Sequence, residues 1–76
     1  MKVEIEITNE EGLLIPFSDM AIYEIEVSVL KYISIFSSPP PLGMNISYAD
    51  EEPIKVNDVS FSALGEGILY VEFREL

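Results

Sequence analysis

The sequence predicts a mainly β fold: a small single-domain antiparallel sandwich or partly open barrel of about five or six strands. Three observations predict it. Val3-Glu4-Ile5-Glu6-Ile7 and Tyr23-Glu24-Ile25-Glu26-Val27 alternate apolar residues with carboxylates, and Val71-Glu72-Phe73 followed by Arg74-Glu75 repeats the pattern less cleanly. A period of two is how a strand with one buried and one wet face reads. The apolar runs are crowded with β-branched and aromatic residues, which suit strands. Finally, the runs are separated by clusters of Gly, Pro, Asn and Asp, the residues of turns.

Taken in order, Lys2 to Thr8 reads as a strand with Val3, Ile5 and Ile7 on one face. Asn9-Glu10-Glu11-Gly12 supplies a turn, with Gly12 free to take positive φ. Leu13 to Phe17 reads as a short return strand, completing a hairpin. Pro16 lacks an N–H and therefore puts that strand at an edge or at its end.

Asp19 to Phe36 admits two readings. As a strand, Tyr23 to Val29 alternates without error. As a helix, Ile22, Ile25, Val29, Ile33 and Phe36 share a face, with Ser18 or Asp19 as the cap. The helix would set Glu24 and Glu26 about 200° apart, leaving Glu26 beside Ile22 and Ile33 on the apolar face. That cost, with the β-branched content, favours a strand bent near Leu30-Lys31 where the alternation breaks. The helical alternative gives an α+β domain of ββαββ order.

Ser37-Ser38-Pro39-Pro40-Pro41-Leu42-Gly43 ends this element, since three prolines have fixed φ and no donors. Met44 to Tyr48 is a weak strand, and Ala49-Asp50-Glu51-Glu52-Pro53 an acidic loop. Ile54–Val56 and Val59–Phe61 read as one strand broken at Asn57-Asp58. Gly65-Glu66-Gly67 is a turn, and Ile68 to Phe73 the closing strand. No composition shift divides the chain, so residues 1–76 are one domain.

With 76 residues, such a domain buries only about 60% of its unfolded surface, and its stability margin is thin. The chain has no Cys and no His. Disulfides, thiolate metal sites and the commonest general base are therefore excluded. Fourteen acidic residues against four basic ones give a formal charge of −10. Lys2, Lys31, Lys55 and Arg74 stand singly. Direct nucleic-acid binding and adhesion to anionic membranes are disfavoured, because both need clustered Lys and Arg. The charge also keeps a small protein soluble.

The Glu4/Glu6 and Glu24/Glu26 pairs each set carboxylates about 6.6–6.8 Å apart along a strand. That spacing approaches the pair of an inverting glycosidase, which also requires a cleft and one carboxyl of raised pKa. Pairs on the wet face of so short a chain offer neither, and no catalytic role is expected. The acidic loop Asp50, Glu51 and Glu52 lacks the alternate oxygens and sixth-position Gly of an EF-hand, so no metal or other cofactor is expected. Gly65-Glu66-Gly67 is no phosphate loop, since no Lys-Ser/Thr follows it.

The expected function is that of a non-enzymatic acidic module that binds a basic protein partner, including a surface that otherwise takes nucleic-acid phosphates. Phage- or mobile-element-encoded inhibitors and immunity-type proteins have this character. Its binding residues are the acidic face Glu4, Glu6, Glu24, Glu26 and Glu72, and the acidic loop Asp50, Glu51 and Glu52. Two alternatives stand beside it: a structural subunit of a larger assembly such as a virion or tail, and a small-ligand or cation-binding β domain. The N-terminal segment has no apolar h-region, and Met20 to Phe36 is too charged to span a bilayer. A cytoplasmic monomer or small homo-oligomer is expected. Whether the acidic strands lie side by side decides between a binding face and simple protection of sheet edges.

Overall fold

A computed structural model of the chain describes residues 2–48, 53–62 and 67–75. Its elements run β1 (Lys2–Thr8), α1 (Asp19–Phe36), β2 (Asn45–Ile46), β3 (Ile54–Phe61) and β4 (Ile68–Glu75). The four strands form one curled, half-barrel sheet in the order β1-β4-β3-β2, so the fold is mainly β. Among the described residues there are four strands rather than five or six, and a helix covers the sheet where a sandwich would place a second sheet. The sheet is also mixed: β2–β3 and β3–β4 are antiparallel, but β1 and β4 run parallel.

β1 keeps the bounds its alternation predicts. Val3 and Ile7 are buried and Ile5 is half-buried, while Lys2, Glu4 and Glu6 face solvent. The Asn9–Gly12 turn forms as expected. The Asn9 side-chain oxygen accepts the N–H groups of Glu11 and Leu13, and Gly12 adopts φ +83°. A residue with a Cβ would be strained at that angle. The return segment is not a strand, however. It touches β1 through a single bridge, Thr8 with Leu14, and then leaves the sheet.

Asp19–Phe36 is the helix α1, which corrects the strand reading of Tyr23–Val29. Ser18 caps it, its hydroxyl accepting the Ala21 N–H at 3.1 Å. The cap satisfies one of the helix's orphan donors. Ser37 ends the helix in the left-handed region at φ 56°, its N–H donating to the Ile33 carbonyl. The prolines beyond then prevent continuation. At 18 residues the helix is about 27 Å long, enough to lie across the whole sheet. Its inner face contributes Ile25 and Val29, both fully buried, with Ala21, Ile22 and Ile33 packed around them.

Against that face the sheet places Val3, Ile7, Ile54, Val56, Leu69, Val71 and Phe73. Leu69 and Phe73 are completely removed from solvent. Glu26, which the helical reading set on the apolar face beside Ile22 and Ile33, is half-buried. Its aliphatic carbons can cover the core edge while the carboxylate reaches water.

β3 is one strand, and its interruption is a bulge between Val56 and Asp58. Val56 pairs with Phe73, Asp58 with Glu72 and Val59 with Val71, leaving Asn57 as the extra residue. Before β2, the Gly43 N–H donates to the Val56 carbonyl and the Val56 N–H to the Met44 carbonyl. The proline segment is thereby tied to the sheet, and Pro40 is buried. Among the described residues, no helix is long and apolar enough to cross a membrane.

Candidate functional site

The face of the sheet turned away from α1 carries the polar half of each strand's alternation. Strand pairing arranges these side chains in rows. Glu6 on β1 stands opposite Glu72 on β4, and Glu72 stands opposite Asp58 on β3. Three carboxylates thus cross three adjacent strands in register. The next row is Glu4, Tyr70 and Ser60, and the row on the other side is Thr8, Arg74 and Lys55. Adjacent strands are about 4.8 Å apart, so each carboxylate has a like charge as its direct neighbour.

A shallow depression of about 130 Å³ lies over the first two rows, lined by Glu4, Glu6, Asp58, Ser60, Tyr70 and Glu72. Cations mark the ends of the face. Lys2 forms an ion pair with Glu4 at 3.1 Å, and Arg74 approaches Glu72 at 3.7 Å. Glu72 is further held by the buried Thr8 hydroxyl, which donates to its Oε1 at 3.0 Å and lies 3.3 Å from the Phe73 carbonyl. Glu6 and Asp58 have no such partner among the described residues, so the row is compensated at its centre and uncompensated at both flanks.

The sequence-predicted site residues divide into three groups. Glu4, Glu6 and Glu72 come together on the outer face, because β1 and β4 are neighbours. Glu24 and Glu26 do not join them: they are carried by α1, on the opposite side of the sheet, and diverge around the helix. Their alternation in sequence is real, but the 100° step of a helix turns it into separation. Asp50, Glu51 and Glu52 lie outside the described residues. Asp58 is not among the expected site residues, since Asn57-Asp58 reads as a break in the strand. Its signal is the apolar pattern resuming in the opposite phase at Val59, the mark of a bulge.

Among the described residues, no group of three or more Asp, Glu, His or Cys is placed to hold a metal ion. The site's chemistry is that of fixed negative charge beside a tyrosine ring and a serine hydroxyl. Such a set can accept hydrogen bonds from, and neutralise, a cationic group entering from solvent. No family model, curated protein or solved structure matches the chain.

Proposed function

We propose that this protein is an acidic protein-binding module whose outer sheet face receives a basic side chain presented by a partner protein. The observation that carries the reading is the in-register row Glu6–Glu72–Asp58. Like charges placed directly opposite one another weaken a sheet, and a cationic group bound between them would relieve that cost. Glu4 and the depression that Tyr70 helps to line extend the same negative region.

The pattern of the face supports a narrower reading of the partner. With Lys2 at one end and Lys55 and Arg74 at the other, a uniformly basic surface would meet repulsion at its margins. The complement is a Lys or Arg at the centre, flanked by polar or acidic residues. An arginine suits the row best, because its planar fork can bond two carboxylates at once.

The test is capture of the partner from the native host on the immobilised protein, followed by elution in a salt gradient. Binding should weaken steeply with salt. The combined variant Glu4→Gln, Glu6→Gln and Asp58→Asn should lose the partner, whereas Glu24→Gln with Glu26→Gln on the helix should retain it. Retention by the sheet variant, or loss only by the helix variant, would sink the proposal. Glu72 is left unaltered because Thr8 and Arg74 depend on it.

A further inference from the structure

The outer face of α1 carries an apolar stripe of its own. Met20, Tyr23, Val27 and Leu30 are 68%, 62%, 44% and 36% exposed. At 100° per residue they occupy about 80° of arc directly opposite buried Ile25 and Val29. Their spacing of three, four and three residues is that of a coiled-coil seam, a stripe that fits a second helix of like spacing. One flank of the stripe carries Glu24 and Lys31. Neither side chain has an ion-pair partner among the described residues, although Lys31 is the helix's one cation.

We infer that the occupant of this face is a second copy of the chain, its helix running antiparallel across a two-fold axis. The charges select that partner and its register. With Val27 against Leu30 of the other copy and Tyr23 against Ser34, Glu24 meets Lys31 on the same flank, and symmetry repeats the pair. Sliding by one heptad in one direction sets Glu24 against Glu24 and Glu26 against Glu26. Sliding in the other sets Lys31 against Lys31. A parallel pairing brings Asp19 beside Glu24. Only the first arrangement joins opposite charges alone.

The −10 charge opposes self-association in general. At 0.15 M salt, however, screening acts over about 8 Å, and the carboxylate row lies beyond the helix on the far side of the sheet. The carboxylate row therefore adds little repulsion to a contact made through the helix face. A dimer of this form would display two outer sheet faces pointing away from each other. The inference stands on the helix alone and does not depend on the proposed role of the sheet.

Sedimentation equilibrium up to about 1 mM protein in 0.15 M salt tests it, since a seam this short supports only weak association. The wild type should form dimers. Lys31→Glu and Glu24→Lys, each folded by circular dichroism, should each associate about tenfold more weakly, because each turns two attractive pairs into two repulsive ones. An equimolar mixture of the two variants should recover dimers of wild-type affinity. In the mixed dimer one copy is basic at both flank positions and the other acidic at both, so both pairs again join opposite charges. A monomeric wild type overturns the inference. So do single variants that dimerise like wild type, or a mixture that fails to recover.

Discussion

Replacing Glu6 with Gln should make this protein more stable while weakening its grip on a basic partner. Glu6 projects from β1 with Glu72 directly opposite on β4, and no cation compensates it among the described residues. A like-charge cross-strand pair costs roughly 0.2–1 kcal/mol relative to a neutral one. Here Glu72 is partly neutralised by Arg74 at 3.7 Å, and Glu6 is exposed enough for water to screen it. The gain should then fall near the middle of that range, about 0.5 kcal/mol. For a domain of this size that is a rise in Tm of roughly 2–4 °C.

Thermal unfolding followed by circular dichroism at low salt reads this directly. In about 1 M NaCl, where screening acts over about 3 Å, the difference between variant and wild type should vanish. Asp58→Asn should act in the same direction, because Asp58 flanks Glu72 from β3. Glu6 and Asp58 are two strand spacings apart, about 10 Å, so their effects should add. A fall in Tm for Glu6→Gln, or a gain that persists unchanged in high salt, would show that the row carries no repulsive cost. A bound cation would then have nothing to relieve, and the row would be no sign of a binding face.

Three further outcomes check the fold. Ser18→Ala removes the cap on the Ala21 N–H and should cost about 1 kcal/mol in urea unfolding with the slope m unchanged. Ile25→Ala empties a fully buried site between α1 and the sheet. Its loss of about 2–5 kcal/mol should leave a large unfolded fraction at 25 °C by the same assay. Ser37→Gly relieves a side chain held at φ 56° and should raise stability by up to about 1 kcal/mol, seen as a higher Tm.

How far the sequence exposes this fold depends on which forces fix each element. β1 is legible because its two faces differ in every residue, so periodicity alone specifies it. The turn at Gly12 and the cap at Ser18 are legible because each needs a particular local chemistry. α1 is not, for a physical reason. Apolar residues lie both on its inner face and along Met20, Tyr23, Val27 and Leu30, which blurs the 3.6-residue period. Its β-branched Ile and Val residues also favour a strand locally. Burial of Ile25 and Val29 against a sheet that otherwise lacks a cover outweighs those small preferences. The parallel pairing of β1 with β4 is hidden for a different reason: alternation marks a strand but does not choose its neighbour.

The candidate site shows both limits at once. Glu4, Glu6 and Glu72 are readable as solvent-facing carboxylates, yet only strand order makes them one surface. Asp58 joins them through the bulge. In an unbroken strand Asp58 would share the inward face of Ile54 and Val56, where a carboxylate facing Ile25 and Phe73 would meet a heavy desolvation cost. The extra residue Asn57 shifts the phase by one, so Asp58 turns outward opposite Glu72 while Val59 returns to the core. One inserted residue therefore protects the core and supplies the third carboxylate of the row. Neither result can be had from this sequence without the other.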